Sequence, residues 1–172
     1  MPESSVNLWA PWRMEYIRAL GEEPTGPGCF LCKYWSEPAQ DATNHVLWRT
    51  DNTFVLMNRF PYTGGHLMVA LAEHKGDLTE LSERQLAAMN RGICDAVRVL
   101  RAAIKPHGFN IGYNLGRCAG AGLPDHLHAH IVPRWSGDTN FMSVVGDARV
   151  IPEALDATYK ELLKHAVLLI GR

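Results

Sequence analysis

Histidine alternates with apolar residues in Asp125-His126-Leu127-His128-Ala129-His130-Ile131-Val132. That period of two belongs to a half-buried strand and turns all three imidazoles to one face. Neighbouring histidines then stand roughly 7 Å apart, too far to bond each other directly and well spaced for separate tasks. Buried imidazoles need polar partners, so three in a row read as a site and not as packing. With an ordinary pKa of about 6.5, one imidazole can attack as a neutral nucleophile while a neighbour donates a hydrogen bond. Attack of a ring nitrogen on phosphorus gives a covalent phosphorus–nitrogen intermediate and divides one hard displacement into two easier ones. Metal ligation is the rival, since such an array can hold zinc or iron. No Asp or Glu within the strand completes a carboxylate-type metal site, and the stretch just before it suits phosphate better.

That stretch is Gly116-Arg117-Cys118-Ala119-Gly120-Ala121-Gly122. So many small residues let backbone N–H groups approach an anion without obstruction, although a plain turn has the same composition. A second cluster lies at Cys29-Phe30-Leu31-Cys32, with the spacing of half a zinc site. A reduced, metal-free pair is the alternative. A thioredoxin-like redox role fits less well, because nothing around the pair reads as a strand-to-helix start. Cys94 and Cys118 are isolated, so the four cysteines do not form a disulfide framework and point to a reducing compartment.

The elements that must position these residues can be traced along the chain. At 172 residues and 47% hydrophobic content, the expectation is one globular domain. It comprises an arm over residues 1–28, a core over 29–135 and an extension over 136–172. Seventeen Lys and Arg against eighteen Asp and Glu leave no bulk field for nucleic acid or a membrane surface. No apolar run reaches the roughly 20 residues of a membrane span and no signal peptide is evident, so the expected location is cytoplasmic. The arm is aromatic-rich over Leu8-Trp9-Ala10-Pro11-Trp12 and is expected to cover the domain or a neighbouring subunit.

Strands are expected over 45–50, 53–58, 66–71 and 109–114, with the histidine strand following. Glycine-bearing or small-residue loops join the second to the third strand and the fourth to the histidine strand, which makes antiparallel pairs. Ser82-Glu83-Arg84-Gln85 has the spacing of a capping box. Leu86, Met89, Ile93, Val97 and Leu100 then form the stripe of a long helix that Pro106 and Gly108 end. A final helix is expected from 152 to about 169. Strands with one helix among them and one at the end make an α+β fold.

The run His126-Leu127-His128-Ala129-His130-Ile131-Val132 is similar to the histidine triad signature of the HIT superfamily of nucleotide hydrolases and transferases. Phe54 to Asn58, Gly65-His66-Leu67-Met68-Val69, the long helix and Asn114-Leu115-Gly116 precede it in the order that family has. Pro133-Arg134-Trp135-Ser136-Gly137-Asp138-Thr139-Asn140-Phe141, with the arm, resembles the bacterial branch that includes diadenosine tetraphosphate phosphorylases and hydrolases. The resemblance implies a five-stranded antiparallel sheet with a packed long helix and a C-terminal helix, paired as a homodimer.

It also implies roles. His128 would attack the α-phosphorus and His130 would hydrogen-bond a phosphate oxygen. Asn58 would bind ribose, Asn114 and the backbone at Gly120 and Gly122 the phosphates, and Phe30, Leu31 and Leu56 the base. Some members complete a structural zinc site, one per chain, with residues that here are Cys29, Cys32, His74 and His126. Relatives often carry a hydroxyl shortly before the triad, at the place of Gly122. This loop has none, which leaves phosphate contacts to backbone amides, Asn114 and Thr139 or Asn140. The expected activity is therefore that of a nucleotidyl hydrolase or transferase on a dinucleoside polyphosphate, adenine-containing by preference. The alternatives are a nucleoside phosphoramidate hydrolase and a non-catalytic nucleotide-binding module. His66, His45, His107 and His165 receive no chemistry. The acceptor, whether water, phosphate or a sugar phosphate, is not fixed by these residues.

Overall fold

The structure is a computed structural model that describes residues 28–138 and 153–171. The arm up to residue 27, Thr139 and Asn140 lie outside the described residues. In chain order the elements are α1 (Phe30–Ser36), β1 (Val46–Arg49), β2 (Thr53–Met57), β3 (Leu67–Leu71), α2 (Glu83–Ile104), β4 (Gly108–Tyr113), β5 (His128–Arg134) and α3 (Leu155–Ile170). The five strands form one sheet in the order β1-β2-β3-β5-β4, each antiparallel to its neighbours. This is the α+β sheet expected from the pattern of strands and helices.

β2 and β3 are buried along their whole length, which requires a cover on both faces. On one face Val55, Met57, Leu67, Val69, Leu71, Ala129 and Ile131 form the main core with Met89, Ala96, Val99 and Leu100 of α2 and Leu162 of α3. α2 starts on the expected capping box, Ser82 Oγ accepting from the Gln85 N–H and Gln85 Oε1 accepting from the Ser82 N–H at 3.0 Å. Gly92 lets the helix lie close on β3, since a Cβ there would come within 2.8 Å of Val69 Cγ1. On the opposite face Val46, Phe54, Leu56, Met68 and Ala70 make a smaller cluster sealed by Leu31 of α1.

The register carries this second face to the histidines. Val46, Leu56, Met68, His130 and Gly112 lie in one row across all five strands, and Phe54, Ala70 and His128 lie in the next. His128 and His130 therefore share the thinly covered face, while Leu127, Ala129 and Ile131 go to the main core. His126 precedes β5, and its neighbour Leu127 is tied by its N–H to the carbonyl of Lys75 at 2.6 Å.

Candidate active site and metal centre

The His128 ring is largely buried, 8% exposed, and is anchored through one of its nitrogens. Its Nδ1 lies 2.8 Å from the carbonyl of His126. A carbonyl only accepts, so the proton resides on Nδ1 and the lone pair on Nε2. Burial lowers the pKa of His128, which keeps the ring neutral and the lone pair available.

His130 is fixed by a residue that the sequence reading left without a role. His66 is fully buried, and its Nδ1 accepts from the Tyr62 N–H at 3.2 Å and faces the Asn58 Nδ2 at 3.3 Å. With Nδ1 accepting, Nε2 carries the proton and donates to His130 Nδ1 at 3.1 Å. That leaves the His130 proton on Nε2, 3.3 Å from Asn114 Nδ2, and the Asn114 amide accepts this proton once its oxygen is turned to the ring. Burial, reinforced by neighbouring His128, pushes His130 down to about 4, so it too is neutral at pH 7. The rings of His128 and His130 are 5.0 Å apart. A nitrogen lone pair and an N–H donor thus stand side by side, the pairing needed to attack a phosphoryl group and to bind its oxygen. Strand parity could have flagged His66: with Met68 and Ala70 it occupies the face of β3 that pairs alongside His130 and His128.

The remaining expected residues divide. Asn58 is held by two bonds, its Oδ1 accepting from the Phe60 N–H at 2.9 Å while its Nδ2 meets His66. Leu31 and Leu56 are fully buried, whereas Phe30 keeps 40% of its surface exposed. Leu56 is two strands from His130 in the same row, about 10 Å at ordinary strand spacing. Gly120, at φ 89, closes the short turn Arg117–Ala119 in a left-handed conformation that suits glycine, and Gly122 follows partly buried.

Cys29, Cys32, His74 and His126 converge from α1, the segment after β3 and the approach to β5, with one ligand atom of each within 4.8 Å of the others. His126 Nδ1 is 3.0 Å from Cys29 Sγ and 3.4 Å from Cys32 Sγ, and Cys32 Sγ is 3.2 Å from His74 Nδ1. The Nε2–H of His126 donates to the Leu71 carbonyl at 2.7 Å, which leaves the Nδ1 lone pair facing the thiols. A carbonyl orienting the far nitrogen of a ligating histidine is the usual supporting contact of a metal site. Two thiols and two imidazoles at these separations fit a tetrahedral zinc ion. His126, His128 and His130 each turn their bonded nitrogens to different partners, so the triad does not converge as one chelate.

The HIT domain family model matches residues 39–137. A curated AP-4-A phosphorylase from Mycobacterium tuberculosis is 35% identical over 158 residues, covering 90% of this chain and 81% of that protein. The curated adenosine 5'-monophosphoramidase hnt1 of Schizosaccharomyces pombe is 35% identical over 106 residues, 62% of this chain and 74% of its own. A zinc-bound histidine triad family protein from Mycobacterium smegmatis has a solved structure similar at a TM-score of 0.66 and 25% identity. It covers 84% of this chain and 99% of that one.

Proposed function

The chain belongs to the HIT domain family of nucleotide hydrolases and transferases and is an enzyme, and we propose that it cleaves dinucleoside polyphosphates, diadenosine tetraphosphate foremost, at the α-phosphorus. The observation that carries this reading is the tautomer of His128. Its Nδ1–H is engaged by the His126 carbonyl, so Nε2 is the nucleophile. As the bond from Nε2 to phosphorus forms, the bond to the bridging oxygen breaks and a nucleoside polyphosphate leaves. His130, donating through Nε2–H, stabilises the charge that gathers on the phosphoryl oxygen. In the second half-reaction an oxygen of the acceptor attacks phosphorus and His128 leaves. Water as acceptor yields the nucleoside monophosphate and inorganic phosphate the diphosphate.

Asn58 and Leu56 sit on the side of His130 where a nucleoside attached to that phosphorus would reach, with Phe30 and Leu31 beyond them. Asn114, Gly120 and Gly122 lie on the side of the departing phosphates. Cys29, Cys32, His74 and His126 would hold one structural zinc ion per chain, which ties α1 to the start of β5 and supplies no step of the reaction. Such a site suits the reducing cytoplasm. A homodimer is part of the same reading. β4 is an edge strand of six residues without Pro or Lys, and Ile111 on it is 47% exposed, so a second copy is its natural partner.

A second reading, hydrolysis of adenosine phosphoramidate, draws on the likeness to the yeast monophosphoramidase and on the absence of a hydroxyl from the loop at 116–125. Product analysis separates the two. Diadenosine tetraphosphate incubated with inorganic phosphate should give ATP and ADP, and without it ATP and AMP or no product. Turnover of the phosphoramidate alone would select the second reading, and turnover of neither would remove both.

A further inference from the structure

The chemistry around His128 and His130 lacks formal positive charge. The Nδ1 atoms of His128 and His130 are engaged within the fold, Asn58 and Asn114 carry no charge, and backbone N–H groups contribute dipoles only. A polyphosphate leaving group carries several negative charges, which dipoles alone hold weakly. Most described arginines are already committed: Arg49, Arg84, Arg98 and Arg134 bind carboxylates, and Arg101 lies over Phe109. Among the described residues Arg59, Arg91 and Arg117 have no such partner. Arg91 is on α2, across the sheet from the histidines, and Arg59 follows Asn58 on the nucleoside side.

Arg117 is placed differently. It follows by three residues Asn114, whose amide is 3.3 Å from His130 Nε2. The loop that carries it is pinned at both ends. Its far end lies against Gly76, where a Cβ would approach the Pro124 carbonyl oxygen to 2.9 Å, and Ala121 is buried. Within the loop the Gly116 carbonyl accepts from the Ala119 N–H at 3.2 Å and the Arg117 carbonyl from the Gly120 N–H at 2.9 Å. The fixed turn thus presents an exposed guanidinium. Between Gly116 and Asp125 no side chain carries a hydroxyl, so Arg117 is the loop's one side chain suited to a phosphate, and its planar fork matches two phosphate oxygens at once.

Resting on the function proposed above, we propose that Arg117 is the specificity-determining residue for polyphosphate substrates, binding the phosphates beyond the scissile bond. Arg117 then distinguishes a tri- or tetraphosphate chain from a substrate with a single phosphorus. A charge-assisted contact of this kind is equivalent to roughly a ten- to hundredfold change in kcat/KM.

The test compares the zinc-loaded full chain with Arg117→Gln, Arg117→Lys and the charge-matched control Arg91→Gln. Arg117→Gln should lower kcat/KM for diadenosine tetraphosphate by roughly ten- to hundredfold while that for adenosine 5'-phosphoramidate stays within about twofold. Arg117→Lys should recover part of the loss, and Arg91→Gln should match the wild type on both substrates. Parallel losses on the two substrates, no loss on either, or an equal loss in Arg91→Gln would overturn the assignment. Calorimetric binding of inorganic tripolyphosphate gives a readout without turnover. Should the wild type turn over neither substrate, the proposed function falls, and Arg117 stands or falls on this binding alone. Binding by the wild type that Arg117→Gln loses upholds the assignment, and equal or absent binding refutes it.

Discussion

His130 makes stability depend on pH in a way that can be isolated. Its pKa falls from the usual 6.5 to about 4 on folding, burial being the main cause and His128 the second. Between these values the unfolded chain takes up a proton that the native ring refuses, so the unfolded state binds more protons and stability falls as pH falls. The contribution is whole above pH 6.5 and is lost progressively down to about pH 4. At about 1.4 kcal/mol per pH unit, the loss across that window is about 3 kcal/mol. The perturbation is His130→Asn, which keeps a polar side chain and cannot titrate. Urea unfolding of both proteins at pH 7.5, 6.5, 5.5 and 4.5 gives two curves whose difference cancels the other titrating groups common to both. The variant should start less stable, having lost the bond to His66. Its deficit should then shrink by about 3 kcal/mol towards acid. Parallel curves over the whole range would refute the burial argument, because they would mean that His130 titrates alike in the folded and unfolded chains.

Three further outcomes follow from the geometry. His128→Ala should abolish the covalent nucleotidyl-enzyme trapped from labelled substrate and reduce kcat by roughly a thousandfold or more. An intact covalent adduct in that variant would reassign the nucleophile. Elemental analysis should find one zinc per chain, and chelation or His74→Ala should destabilise the fold by several kcal/mol, roughly the scale of structural zinc sites. A thermal midpoint indifferent to chelator would rule the ion out as a structural element. Gly65→Ala should cost about 1–3 kcal/mol, since φ at Gly65 is 75° and a Cβ would lie 2.5 Å from Ile104 Cδ1. Gly112→Ala, with nothing within 4 Å and an ordinary φ, is the control expected to be near neutral in denaturant unfolding.

The legibility of this fold in its sequence follows the strength of each local period. α2 is visible because Leu86, Met89, Ile93, Val97 and Leu100 repeat at helical steps behind a capping box, and Met89 and Leu100 are indeed fully buried. The pairing of β2 with β3 and of β4 with β5 is visible because each pair is consecutive in the chain, with a glycine-bearing loop and no long helix between its strands. The insertion of β5 between β3 and β4 is not a local matter. It depends on α2 carrying the chain across the sheet, which nothing in the strands themselves encodes. Leu31 and Leu56, both fully buried, show how little an apolar residue says by itself: one that lines a base pocket and one that seals a small core carry identical sequence signals. His66 was missed because it precedes a run of five apolar strand residues and reads as the edge of core, whereas its partner His130 is 64 positions away.

What differentiates three chemically identical side chains is the partner of each ring's second nitrogen. The Leu71 carbonyl holds Nε2 of His126, so its Nδ1 is turned to Cys29 and Cys32 and the ring joins the cluster of Cys29, Cys32 and His74. The His126 carbonyl holds Nδ1 of His128, so its Nε2 is left with a free lone pair. His66 donates to Nδ1 of His130, so its Nε2 bears a proton. Two of these three partners are backbone carbonyls, one at the end of β3 and one just before β5, whose positions are set by the backbone and not by residue type. The third is a histidine whose own tautomer is set by the Tyr62 peptide. Alternation along β5 therefore brings the rings of His128 and His130 to one face, and hydrogen bonding from the surrounding fold sets which nitrogen of each of the three rings is left available. A substitution that moved the Tyr62 peptide or the carbonyl of Leu71 would alter the chemistry of the triad without touching a histidine.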